Sequence, residues 1–188
     1  MCRFRFFLLV SVCATIFFGR PASTQAQVEH TINDTTGADR IASTSLQNTT
    51  EIRYSGTDVA YKAEYTRAPD VSDGTWVLSF YGFTTEPTDL SEPQRMLIWI
   101  DGQRHDVVDT ETRTRNLGGE TLEIRSVTLT STLFRGIAEA RRVEVTIGDV
   151  EFDMPHADRA DMREIVERVH SIVPSESRQQ RAGTEKSY

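Results

Sequence analysis

The stretch from Val143 to Met154 constrains the fold more than any other. Val143, Val145 and Ile147 alternate with Glu144 and Thr146. Period-two alternation puts one set of side chains on each face of a strand. Gly148-Asp149 follows, with glycine at the first central position of a two-residue turn, where a positive φ is needed. Val150, Phe152 and Met154 then alternate with Glu151 and Asp153, and Pro155 has no amide proton for a ladder. The pattern predicts a β-hairpin with one buried face.

A helix is predicted after it. Met162, Ile165, Val166, Val169 and Ile172 fall on one helical face, opposite Arg163, Glu164, Glu167 and Arg168. Asp158 or Asp161 can cap its first turn, and Pro174 marks its end. A lone helix of this length is marginal in water, so its apolar stripe must close a core.

The same alternation recurs upstream. Val59 to Tyr65 and Met96 to Ile100 read as strands, and Thr75 to Phe83 as a central one covered on both faces. Asp101-Gly102 is a hairpin turn signal, with Gln103 to Val108 returning. Thr110 to Leu117 alternates threonine with charge, as on an exposed edge. Leu122 and Ile124 alternate in one phase and Val127 and Leu129 in the other, so a β-bulge near Arg125-Ser126 is expected. Thr130, Ser131 or Thr132 can cap a short helix carrying Leu133, Phe134 and Ile137. These elements predict a mainly β fold: an antiparallel β-sandwich or open barrel with a short helix and a C-terminal amphipathic helix. The alternative is an α+β fold, one curved sheet packed on the terminal helix.

The N-terminus belongs to a different class of segment. Arg3 and Arg5 precede an apolar run from Phe6 to Phe18, Gly19-Arg20-Pro21 breaks it, and Thr24-Gln25-Ala26 offers small residues to a peptidase. This is the pattern of a secretory signal peptide over residues 1–26. The run is shorter than the roughly 20 residues of a comfortable span, so no transmembrane segment is expected after cleavage. Export to the periplasm or outside the cell follows. Lipid anchoring at Cys13 is the lesser alternative, because Val12 is too bulky for the position before a lipidated cysteine.

Both cysteines, Cys2 and Cys13, lie in the leader. The mature chain therefore has no disulfide, thiol nucleophile or zinc–thiolate site. Three of the 21 basic residues and none of the 28 acidic ones lie there too, which leaves a mature charge of −10. Such a chain repels nucleic acid. Residues 27–50 are rich in Thr, Ser, Asn and Asp and read as a disordered linker. Within them Asn33 and Asn48 begin glycosylation sequons. Residues 51–173 make the single β-rich domain, and 174–188 a disordered tail. Thr84 to Pro93 reads as a polar loop.

Signatures of known chemistry are missing: there is no phosphate loop, nucleophile elbow or zinc helix. The densest polar group is Asp101, His105, Asp106, Asp109 and Glu111, around one hairpin. Histidine beside carboxylates can do acid–base work, with His105, Asp106 and Asp109 as catalytic candidates. The competing account is a solvated turn in an acidic protein. His156 and Asp158 lack the spacing of a metal site, and His170 reads as packing beside the apolar stripe. No metal or cofactor is expected. Trp76, Phe80, Tyr81, Phe83 and Trp99 serve either a core or an aromatic binding face. Tyr81 and Trp99 point outward and are the binding candidates.

Residues 127–172, from Val127-Thr-Leu-Thr-Ser-Thr-Leu-Phe through Phe152 to the last helix, resemble a module of bacterial exported proteins of the invasion-associated locus B type. The resemblance rests on apolar spacing and implies a periplasmic β-sandwich. It carries over no functional residue, and those proteins commonly hold cysteines that this mature chain lacks. The expected function is that of a non-enzymatic binding or accessory module meeting a protein or small ligand in the envelope. The alternatives are a hydrolase or lyase using the hairpin cluster, and a carbohydrate- or peptide-binding domain.

Overall fold

A computed structural model of the chain describes residues 26–53, 59–85, 90, 95–108 and 110–172. Residues 1–25 of the expected leader with Cys13, the expected tail 174–188, most of the 84–93 loop and Asp109 lie outside them.

Two antiparallel sheets face each other. The larger runs β1 (Val28–Ile32), β2 (Asp39–Ser43), β5 (Val59–Arg67), β6 (Thr75–Thr84), β10 (Thr121–Leu129), β9 (Thr110–Asn116), and the two-residue β3 (Gln47–Asn48) also pairs with β5. The smaller runs β4 (Thr50–Arg53), β12 (Val150–Asp153), β11 (Val143–Ile147), β7 (Met96–Ile100), β8 (Gln103–Val107). This is the expected sandwich, with sheets not closed into a barrel. Tyr61, Ala63, Leu78, Phe80 and Val127 from one sheet meet Met96, Ile98, Val145, Ile147 and Phe152 from the other in one buried cluster. The Phe80 and Phe152 rings touch across the gap, 5.3 Å between centroids. Each such side chain removed from water contributes about 1.5–3 kcal/mol before entropy is counted.

The hairpin turns form as their residues predict. Gly148 takes φ 56°, and Asp101 and Gly102 take 48° and 85°, the left-handed pair that a twisted two-residue hairpin needs.

Two helices cover the part of the larger sheet that the smaller leaves open. Helix α1 (Ser131–Glu139) starts at Thr130, whose Oγ1 accepts the Leu133 amide proton at 3.2 Å. Its Phe134 ring lies 4.8 Å from Trp76. Helix α2 (Ala160–Ile172) buries Met162, Ile165, Val166 and Val169, the predicted stripe, against β1, β2, β5 and α1.

Two expectations are corrected. Residues 27–50 are not a linker here: they hold β1, β2 and β3, and β2 and β3 pair with successive halves of β5. A polar sequence is ordered because the sheet edge supplies its hydrogen bonds and Ile41, Ala42 and Ser43 are buried. Asp161 holds the segment as well, since the Gln27 amide and the Gln47 side chain both donate to it at 2.8 Å.

Strand β10 has no bulge. Its register against β6 is unbroken from Thr121↔Thr84 to Leu129↔Trp76, and its residues Thr121 to Val127 also pair with β9. The inward face is Glu123, Arg125, Val127 and Leu129; Leu122 and Ile124 lie half-buried on the outer face. Glu123 and Arg125 are 0% and 1% exposed. Arg125 donates to the Leu90 carbonyl and to Thr110 Oγ1, so the charge has polar partners inside. Ladder pairing on both sides overrides the apolar phase of two residues.

Candidate functional site

The described members of the hairpin cluster are not drawn together. His105 and Asp106 are consecutive on β8, so they face opposite sides of the sheet. His105 lies opposite Ile98 on the inner side, and Asp106 opposite Leu97 on the outer. Asp106 is held by Arg95 at 2.6 Å and Arg104 at 3.2 Å, which pull its pKa below the usual carboxylate range, Arg104 most. Asp101 is occupied with structure: its carboxylate accepts the Arg141 and Arg142 amide protons, which lower its pKa too. Glu111 lies in the other sheet, bonded to Arg113 at 2.8 Å. Among the described residues no group of three His, Asp or Glu side chains is placed to hold a metal ion.

Tyr81 and Trp99 are also apart. Both are half-buried, Tyr81 on the outer face of the larger sheet and Trp99 on the outer face of the smaller. Tyr81 sits in register with Ile124, and burial pushes its phenol pKa up. The outer faces of a sandwich look in opposite directions, so the two rings cannot form one platform.

A cleft opens elsewhere, where the β5–β6 turn meets the start of α1 and the end of α2. Its volume is about 560 Å³, within the range of small-molecule sites. Tyr65 and Trp76 form an aromatic wall, their centroids 4.6 Å apart. Tyr65 packs closely over Gly74, where a Cβ would come within 2.3 Å of the ring. Burial raises the Tyr65 pKa. Asp73 lines the turn side.

Arg135 and His170 line the helical side, Nη2 to Nε2 2.7 Å. A guanidinium has no acceptor, so Arg135 donates and the imidazole accepts through Nε2. Thr130 and Ser131 bring the α1 N-terminus to the rim. The cleft thus brings a cation, a helix N-terminus, a carboxylate and an aromatic wall together.

The sequence did not mark this combination as a site. Trp76 read as either core or part of an aromatic binding face and His170 as packing, and Tyr65, Asp73 and Arg135 carried no signal of a site. They come from five separate elements and turns, and no local spacing could have joined them. A second, smaller hollow of about 200 Å³ lies beside Arg141, Asp153 and His156. His156 is exposed there, and its pKa is lowered chiefly by the nearby Arg163 charge.

No family model, no curated protein and no solved structure matches this chain.

Proposed function

We propose that the protein is exported and acts in the cell envelope as a non-enzymatic binding module, taking a small carboxylate-bearing ligand in the cleft. The observation that carries this reading is that the Arg135–His170 pair and Asp73 line one cleft with Tyr65 and Trp76. The planar guanidinium fork suits a carboxylate, and the aromatic wall takes the apolar side of a ring or chain. Asp73 suits hydroxyls or an ammonium group on the same ligand. Export is supported by the leader and by the cysteine-free remainder. Among the described residues no helix is long and apolar enough to cross a membrane. Kinship of residues 127–172 with the invasion-associated locus B type belongs to the same proposal and rests on apolar spacing. The hydrolase or lyase alternative draws no support from His105 and Asp106, which the strand directs apart.

The test uses Trp76 as the reporter in a Trp99→Phe background, since the chain has two tryptophans. Hydroxy acids, sugar acids and amino acids are titrated in turn. Saturable quenching by at least one class is expected. Arg135→Gln should weaken it about 10- to 100-fold, the loss of one charge-assisted hydrogen bond. Silence from the whole panel at millimolar concentration, or equal affinity in Arg135→Gln, would refute the site.

A further inference from the structure

Asp161 is a carboxylate in the wrong place for a lone charge. It is 1% exposed, in the first turn of α2. Its Oδ1 accepts the Gln27 backbone amide and its Oδ2 the Gln47 side-chain amide, each at 2.8 Å. Both donors are neutral. Among the described residues no cation comes within salt-bridge distance of it; the ion pairs of this region lie on other carboxylates. The nearby basic groups face other acceptors. Arg159 donates to the carbonyls of Met154, Ile137 and Ala140, Arg163 to those of Ala138 and His156, and Lys62 to that of Thr44. Tyr61 Oη donates to the Asp158 carbonyl. Burying a carboxylate without an opposite charge is costly, and two neutral donors offset only part of the cost.

The backbone atom at Asp161 belongs to the first residue after the predicted leader. The chain up to Ala26 carries the peptidase pattern, and Gln27 N is the nitrogen of the bond that would be cut. Gln27 is also fixed from its other side, since Thr44 donates to its carbonyl through both its amide, at 2.8 Å, and its hydroxyl, at 3.1 Å. We propose that cleavage between Ala26 and Gln27 converts this nitrogen into an α-ammonium that docks on Asp161 and locks β1 to α2. The inference rests on the export reading. The step is a hydrolysis by a leader peptidase. Water gives its hydroxyl to the Ala26 carbonyl and a proton to the Gln27 nitrogen, and the free amine takes a further proton from solvent. The product is a part-buried ion pair where the uncut chain has a hydrogen bond from a neutral amide. Docking also protects the new terminus. A free N-terminal glutamine cyclises by attack of its α-amine on its own side-chain amide, releasing ammonia, and an ammonium held on Asp161 has no lone pair for that attack.

The experiment compares two forms of the protein. One begins at Gln27. The other is released from a fusion two residues earlier, at Gln25, so that Gln27 N remains an amide. Each is also made with Asp161→Asn. At pH 6.5 the Gln27 form should melt about 3–6 °C higher, and the gap should close in Asp161→Asn. The α-amino group of the folded protein, followed by NMR, should titrate above about 9 rather than at the ordinary 7.7–8.0. A partner that raises the folded pKa contributes fully below the unfolded value and is lost as pH rises through the folded one. The melting gap should therefore be complete at pH 6.5 and vanish at high pH. If Asp161→Asn does not fold, the titration decides alone. Equal melting points with an ordinary α-amino pKa would overturn the contact. N-terminal sequencing of protein from its own host separates the two ideas. A start at Gln27, uncyclised, supports both; export with a start elsewhere overturns the docked terminus alone; an intact leader inside the cell overturns export and the processing step together.

Discussion

The Arg159 guanidinium stands inside the protein with Nη2 2.8 Å from the Ala140 carbonyl oxygen. Ala140 ends α1, and Arg159 immediately precedes α2. The same side chain donates through Nε to Met154 and through Nη1 to Ile137. One fully buried residue thus joins the end of α1, the end of β12 and the start of α2. The terminal carbonyls of a helix have no partners within it, and a guanidinium with five donors can serve several at once. Arg159→Met should leave three buried carbonyls short of a donor, at about 1–3 kcal/mol each. Urea unfolding should show a loss of at least about 3 kcal/mol, with Arg159→Lys intermediate. A loss under about 1 kcal/mol would mean that water replaces the guanidinium.

Asp101 ties the β7–β8 turn to the loop after α1, accepting the Arg142 amide at 2.8 Å. The Arg142 amide, and after it that of Arg141, lowers its pKa in the folded state. Its contribution to stability is therefore present above about pH 3.9, the unfolded value, and is lost as pH falls through the lower folded one. Melting of the native protein should fall between pH 4 and pH 2 more steeply than melting of Asp101→Asn. Equal slopes would remove Asp101 from the acid response. Asp101→Ala should be less stable than Asp101→Asn at neutral pH, because asparagine tolerates the positive φ and alanine does not.

Gly74 is needed by its neighbour rather than by its own backbone. A Cβ there would overlap the Tyr65 ring at 2.3 Å. Gly74→Ala should force the ring off the wall, destabilise the fold by about 1–3 kcal/mol, and weaken any ligand of the cleft. Unchanged melting together with unchanged affinity would place Tyr65 outside the site.

The register of β10 makes an ordering testable. Ile124 is half-buried on the outer face, and Val127 is fully buried. Val127→Thr should cost about 1–3 kcal/mol for a hydroxyl in the core. Ile124→Thr should cost under about 1 kcal/mol. The reverse order, read from denaturant midpoints, would restore the bulge that the alternation of Leu122 and Ile124 suggests.

Much of the fold was legible because it is written in short periods. The hairpin Val143–Met154, its glycine turn, the stripe of α2 and the Asp101-Gly102 turn are all local, and the side-chain period of a strand or helix suffices to place them. Three things were not legible. Residues 27–50 are too polar to order themselves, and become strands because β5 offers an edge and Asp161 an anchor. Glu123 and Arg125 are the residues a sequence would place in solvent, yet ladder registry on both sides carries them inward. The cleft brings Tyr65, Asp73, Trp76, Arg135 and His170 together from positions far apart in the chain.

By itself the sequence determined the sandwich class, the leader pattern, the absence of thiols after residue 26 and the negative charge, since each depends on composition or on contacts a few residues apart. The tertiary structure alone decided which face of β10 is core, that the hairpin carboxylates separate, that Arg159 closes the helical end, and that Gln27 meets Asp161 across 134 residues. These depend on registry and on contacts between distant segments, whose energies arise only when the whole chain is folded.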